Sequence, residues 1–115
     1  MKKTTILSGV GALMLVVAAS GTASAASPSF SCHGRLNATE RTICDSWRLA
    51  KLDRKLAYWY GKARERAGYF HQTSWLRNSQ RDWLAERNSC GYDESCIRWA
   101  YESRIEWLRN YYEHV

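Results

Sequence analysis

The chain has 115 residues, with 17 Lys or Arg against 11 Asp or Glu, and a formal net charge of +6 at pH 7. That length allows one small domain. The basic residues are dispersed and often adjacent to acidic ones, whereas a nucleic-acid binder concentrates its charge in a run or on one face. Composition therefore argues against nucleic-acid binding.

The N-terminal segment has the pattern of a secretory signal peptide. Lys2 and Lys3 precede an apolar stretch that ends in the small residues Ala23–Ala25. We predict that residues 1–25 are removed on export, which lowers the formal charge of +6 by two, to +4. The apolar stretch is short for a bilayer span and no second one follows, so no retained membrane span is predicted. The expected location is the periplasm or the exterior.

Four cysteines remain after that cleavage, at Cys32, Cys44, Cys90 and Cys96. In a short exported chain an even number of cysteines indicates disulfides, which supplement a small apolar core. We favour the local pairs Cys32 with Cys44 and Cys90 with Cys96, because each flanks a helix start or a turn between helices. Crossed pairings would close longer loops and remain open.

The first part of the exported chain, residues 26–36, is predicted to be a flexible lead. Pro28 and the neighbouring serines favour extended chain, and Phe30 is the first side chain expected to be anchored. Residues 37–115 are predicted to form a single four-cysteine helical domain.

Two helices are predicted in the first half of that domain. Asn37 and Glu40 have the spacing of a capping box, which predicts a short helix through Cys44. Either residue 45 or residue 46 then caps a longer helix that reaches about residue 67, where Gly68 is expected to end it. The next residues, 68–73, are turn-like and aromatic. We expect them to fold back over the core, with a binding loop as the alternative.

Two more helices are predicted over about residues 74–90 and 94–113. Gly91 suits a left-handed residue just past a helix end, and Asp93 suits the N-cap of the last helix. The pattern predicts an all-α, up-down bundle of three long helices and one short N-terminal helix, stapled by two disulfides. One set of apolar residues is expected to be buried together: Leu52, Leu56, Trp83, Ile105 and Leu108.

Fifteen aromatic residues, including six Trp, are many for a chain of this size. Helical spacing places Trp59, Trp75, Trp99 and Trp107 at or beyond the edges of the apolar stripes. Such residues suit a surface for a protein partner or a glycan, and additional core packing is the alternative.

Catalytic and metal chemistry find little support in the sequence. The cysteines have plausible disulfide partners, so no free thiolate is expected, and their spacing lacks the short pairs typical of zinc sites. His33, His71 and His114 lie far apart in a lead, a loop and a tail. We predict no catalytic residue, no metal, no cofactor and no enzymatic activity.

Several strings of residues resemble a known family. Leu-Asp-x-x-Leu occurs at residues 52–56 and Gln-x-x-Trp-Leu-x-x-Arg at residues 80–87, with the four cysteines in register around them. Together they resemble the bacterial lysozyme inhibitor LprI-like N-terminal domain family over nearly the whole mature chain. The resemblance implies a small exported four-cysteine helical domain that inhibits lysozyme by occupying its surface. The alternative is a structural or glycan-binding cell-envelope protein without inhibitory activity.

The candidate contact site is the turn at residues 91–95. If Cys90 and Cys96 pair, this turn is a closed ring that presents Tyr92 beside Asp93 and Glu94. Ordering such a ring in advance favours binding, and its carboxylates would offer a local acidic contact to a basic partner. The alternative is that Asp93 merely caps the last helix while Glu94 favours its positive end. The sequence does not specify the oligomeric state.

Overall fold

A computed structural model describes residues 27–115, which form four helices and no strand. The helices are α1 (Ala38–Asp45), α2 (Trp47–Tyr69), α3 (Thr73–Asn88) and α4 (Glu94–His114). The prediction of an all-α fold with one short and three long helices is confirmed. The predicted signal peptide lies outside the described residues.

The three long helices alternate in direction. In the last turns of α2 and α4, the Arg66 Nε donates to the Tyr112 carbonyl at 3.0 Å. Nearer the starts of the same helices, the Tyr101 hydroxyl of α4 donates to the Asp53 Oδ1 of α2, so the two helices run the same way. The hydroxyl of Tyr111 donates to the side chain of Gln72, just before α3, so α3 runs in the opposite direction. The contact between α2 and α4 is the most extensive between any two helices.

The core lies where these three helices and α1 meet. Its buried side chains are Ile43, Leu49, Leu56, Ala63, Ala67, Leu76, Trp83, Ile97, Ala100, Tyr101, Ile105, Leu108 and Tyr111. Four of the five residues expected to be buried together are in this set, and Leu52 is partly buried against it. Within residues 27–115, no helix has both the length and the apolar character that crossing a bilayer requires.

Side-chain caps set the starts of the helices. The Asn37 Oδ1 accepts from the Glu40 amide at 2.8 Å, and the Glu40 Oε1 accepts from the Asn37 amide at 2.9 Å. This is the predicted capping box. Of the two candidates for the next cap, Ser46 is the one used, and its hydroxyl accepts from the Leu49 amide at 3.2 Å.

Two disulfides join the local cysteine pairs that the sequence favours. Cys32 is bonded to Cys44, and Cys90 is bonded to Cys96, with Cα–Cα distances of 5.9 and 5.6 Å. No cysteine in residues 27–115 is left as a free thiol. The first disulfide holds the lead against α1, and the second closes the turn between α3 and α4.

The expected end of α2 at Gly68 is wrong. The helix continues to Tyr69, and the left-handed residue is His71, with φ of 60°. The amide of His71 donates to the carbonyl of Gly68, and the amide of Gln72 donates to the carbonyl of Ala67. This pair of hydrogen bonds is that of a Schellman motif. Histidine adopts this left-handed conformation more often than most residues do. The prediction placed the helix end at Gly68 because glycine is the residue most often found there.

The aromatic connection after α2 also differs from expectation. Tyr69 and Phe70 are exposed and pack edge-to-face against each other, with ring centroids 5.4 Å apart. The connection therefore does not fold back over the core.

We expect Gly68→Ala to stabilise the protein by about 0.5 to 1 kcal/mol, because the residue is helical and Ala loses less entropy than Gly on folding. An added Cβ would meet only the Thr73 hydroxyl, at 3.9 Å. Gly91→Ala is the matched contrast. With φ of 59° at that position, Ala should destabilise by about 1 to 2 kcal/mol. Urea denaturation of both variants measures this, and a destabilising Gly68→Ala would contradict the helix end described.

Candidate functional site

A buried carboxylate joins the N-terminal lead to the helices. Asp53 on α2 is only 3% exposed. Its Oδ1 accepts from the Tyr101 hydroxyl on α4 at 2.7 Å, and its Oδ2 accepts from the Ser29 amide at 2.6 Å. The Ser29 hydroxyl donates to the same Oδ2. Both carboxylate oxygens are therefore occupied by protein donors.

A buried guanidinium completes this network from α3. Arg87 is 4% exposed, and its Nη1 donates to the Tyr101 hydroxyl at 2.9 Å. Its Nε and Nη2 donate to the Asn88 Oδ1, and Nη2 lies 3.9 Å from a Glu40 carboxylate oxygen on α1. The guanidinium also lies 4.0 Å from the Asp53 Oδ1, so the buried charges are paired. One network thus links all four helices.

The expectation of a flexible lead is wrong for the part that the structure describes. Besides the bonds from Ser29 to Asp53, the Ser27 carbonyl accepts from the Arg54 side chain. Phe30 packs against the core as predicted, and its ring centroid is 5.8 Å from the Arg87 guanidinium carbon. A buried carboxylate needs donors, and the lead supplies two of them.

Burial raises the pKa of the Tyr101 phenol well above its ordinary value of 10.0. The charge of Arg87 opposes this shift, while the charge of Asp53 and its hydrogen bond add to it. The phenol therefore keeps its proton and donates to the carboxylate. This is a structural role for the hydroxyl.

A second buried arginine lies further along α4. Arg104 donates from Nε to the Gln80 Oε1 at 3.1 Å, and its guanidinium carbon is 4.4 Å from the Trp107 ring centroid. Among the described residues its Nη2 has no hydrogen-bond partner. Burial lowers the pKa of this guanidinium from its ordinary value.

The network forms the floor of a cavity of about 360 Å³. The walls include Phe30 and Trp83, and the charged groups are Glu40, Asp53 and Arg87. Each of these charged groups already bonds to protein partners, since Glu40 also serves in the capping box. The cavity therefore combines an apolar recess with polar groups that are committed to the fold.

The turn predicted as the contact site is exposed and closed by a disulfide. Tyr92 is 70% exposed, and Asp93 and Glu94 are exposed as well. The Asp93 Oδ1 accepts from the Cys96 amide at 3.1 Å, so it does cap α4. Behind the turn, the buried Thr39 hydroxyl has three carbonyls within 3.4 Å, and the shortest contact is to the Gly91 carbonyl at 2.8 Å.

Basic residues lie close to this turn. Glu94 shares a shallow depression with Arg48 and Arg98. The acidic character of the turn is therefore partly offset on one side, while its single aromatic ring, Tyr92, is largely exposed.

A separate aromatic patch lies where α3 begins and α4 ends. Trp75 is 52% exposed and Trp107 is exposed beside it, while Tyr111 is buried beneath them. The three ring centroids are each 5.8 Å from one another, and the rings of Trp107 and Tyr111 are stacked within 8° of parallel. Of the four edge tryptophans, Trp75, Trp99 and Trp107 are exposed and Trp59 is half-buried.

The three histidines are all exposed, and the structure does not bring them together into a site with the other polar residues. Within residues 27–115, no group of three or more His, Cys, Asp or Glu is placed to hold a metal ion.

The buried network is the feature that sequence reasoning missed. Asp53 follows Leu52 in a stripe of apolar residues, and Arg87 lies on the same helix face as Trp83. A charged residue on a helix face that is expected to be buried indicates that another residue of the chain bonds to it. Which residue this is depends on how helices that are distant in the sequence pack together.

Replacing Tyr101 with Phe removes one hydroxyl, which donates to Asp53 and accepts from Arg87, and so leaves each of these two residues one hydrogen bond short. We expect a loss of about 1 to 3 kcal/mol in the free energy of unfolding at pH 7. Tyr58→Phe, on the exposed surface, is the matched control and should change little.

The same variant tests the pKa of Tyr101. Because this pKa is higher in the folded than in the unfolded chain, its contribution is fully present below about pH 10 and is lost as the pH rises further. The free energy of unfolding should therefore fall more steeply above pH 10 in the wild type than in Tyr101→Phe. The free energy of unfolding is measured for both proteins by rapid denaturation at a series of pH values above 10. An equally steep fall in the wild type and in Tyr101→Phe would contradict the raised pKa of Tyr101.

No family model, curated protein or solved structure matches the chain. The function must therefore be argued from the surface and from the chemistry of the residues on it.

Proposed function

We propose that the protein is an exported binding module that inhibits a lysozyme-type enzyme by non-covalent occupation of its surface. The observation that carries the proposal is the disulfide-closed turn at residues 91–95, with Tyr92 largely exposed at its tip. The proposal also draws on the resemblance to lysozyme inhibitors that the sequence carries.

The turn has the rigidity that a binding element needs. The disulfide closes it, Asp93 fixes the start of α4, and Thr39 holds the Gly91 carbonyl from α1. A loop ordered before binding pays less conformational entropy on association, so more of its contact energy is available for affinity. Exposed tyrosines are frequent at the centres of binding interfaces.

The charge of the turn favours contact with a basic protein at short range. The mature chain is itself basic, so long-range attraction would not steer it towards a basic lysozyme. Asp93 and Glu94 would act only after contact, beside the Tyr92 ring. We therefore expect slow association and an affinity set by the dissociation rate.

The alternative is a structural or glycan-binding envelope protein without inhibitory activity. The specific observation in its favour is the patch of Trp75, Trp107 and Tyr111, whose mutual stacking holds the two exposed indoles in fixed positions. Flat aromatic faces of this kind suit the apolar faces of sugar rings as well as protein side chains.

The disulfides suggest an oxidising, extracellular environment. We propose the finer location, the periplasm or the exterior of a bacterial cell after removal of residues 1–25, from the signal-like N-terminal sequence.

The inhibitory role is tested with the double variant Tyr92→Ala/Glu94→Ala in a lysozyme turbidity assay. Because Asp93 and the disulfide are retained, the fold should keep its melting temperature while inhibition falls by about tenfold or more. Glu65→Ala/Tyr69→Ala is the matched control, since it removes the same two residue types from the exposed far end of α2. Full inhibition by the first variant would exclude the turn as the contact site.

The glycan alternative is tested by sedimentation with isolated cell wall. If the aromatic patch binds glycan, Trp75→Ala/Trp107→Ala should release the protein from the wall, whereas Tyr92→Ala/Glu94→Ala should not. Wild-type protein that inhibits lysozyme but does not sediment with cell wall would support the inhibitor role over the alternative.

A further inference from the structure

A second cavity lies between α3 and α4, directly beside the closed turn. Its volume is about 290 Å³, and both cysteines of the Cys90–Cys96 disulfide line it. Trp99 of α4, 70% exposed, and Glu86 of α3 lie on its walls. Because one disulfide belongs to both features, this cavity and the turn at residues 91–95 form one continuous surface.

The charge of this cavity is unusual for the chain. Glu86 is its one charged lining residue, whereas four other depressions on the described residues each include at least one arginine. Glu86 forms no ion pair within residues 27–115. The charge of Glu86 favours the protonated form of Arg104, but Arg104 is itself buried and bonded to Gln80. In a basic protein, this cavity thus presents a carboxylate without a partner.

The hydrogen-bonding groups of the walls point to a donor-rich ligand. The hydroxyls of Ser89 and Ser103 donate to the carbonyls of their own helices, at 2.6 and 2.9 Å, and the Trp83 indole donates to the Ala100 carbonyl at 3.1 Å. Each hydroxyl oxygen can still accept. The lining side chains therefore offer three acceptor groups, namely two hydroxyls and a carboxylate. Among these side chains, the Trp99 indole has the one N–H group that donates to no acceptor in the described residues.

We propose that this cavity binds an arginine side chain of the protein partner. The guanidinium pairs with the Glu86 carboxylate and stacks on the exposed face of Trp99, the two interactions to which a planar, delocalised cation is best suited. The serine hydroxyls accept from its remaining N–H groups. Together with the turn, the cavity gives the module a second contact point, specific for a basic partner. That partner is a lysozyme-type enzyme only if the proposed function is correct.

The cavity is tested first without any partner, with N-acetyl-L-arginine amide as the probe. Its titration should shift the Trp99 indole signal in ¹H–¹⁵N spectra and saturate. The citrulline analogue, which has the same shape without the charge, should not. Glu86→Gln should weaken probe binding by roughly three- to tenfold, as expected when one ion pair beside an aromatic face is lost. Glu102→Gln, an exposed carboxylate of α4 outside this cavity, is the matched control.

Equal shifts with the arginine and citrulline probes, or equal probe affinity in Glu86→Gln and wild type, would overturn the proposal. The lysozyme assay separates this outcome from failure of the proposed function. Arginine binding that depends on Glu86 without lysozyme inhibition would refute the inhibitor role and support the cavity assignment. Lysozyme inhibition that Glu86→Gln and Trp99→Leu leave unchanged would support the inhibitor role and overturn the assignment of the cavity to the partner's arginine.

Discussion

The buried carboxylate of Asp53 is the constraint on which the rest of the structure depends. An ionised carboxylate inside a small core is tolerated only if protein donors replace the water that it loses. Those donors come from Ser29 in the lead and Tyr101 on α4, with Arg87 on α3 adjacent. The hydrogen bonds of this one carboxylate therefore fix how three helices and the lead are placed relative to one another. Hydrogen bonds require more exact distances and angles than apolar contacts do.

The sequence predicted the local features well, because their causes are local. The capping box at Asn37, the cap at Asp93 and the two short-range disulfides each depend on residues within one or two helical turns, or on cysteines close in the chain. It failed where distant residues decide the outcome. The bonds of Asp53 span 24 and 48 positions, and no periodicity encodes which hydroxyl or amide will meet the carboxylate. The end of α2 was missed because His71 takes the conformation usually given to Gly.

The buried network also limits where a binding surface can lie. Several residues in the strings at positions 52–56 and 80–87, among them Asp53, Trp83 and Arg87, lie in the buried network and core, so their roles here are explained by the fold. A binding surface must be sought among exposed groups that the fold leaves uncommitted. Such groups flank the Cys90–Cys96 disulfide, where Tyr92 and Trp99 are largely exposed, and they also form the patch of Trp75 and Trp107. The sequence indicated the turn, whereas the cavity beside it required the packing of α3 on α4.

Amide hydrogen exchange at Ser29 tests the central claim most directly. Ser29 precedes every helix described and is itself exposed, so without its bonds to Asp53 its amide would exchange as fast as in an unfolded peptide. The account predicts strong protection in the wild type, approaching that of core amides such as Tyr101, and its loss in Asp53→Ala under conditions where that variant remains folded. An unprotected Ser29 amide in the wild type would contradict the role assigned to the buried carboxylate.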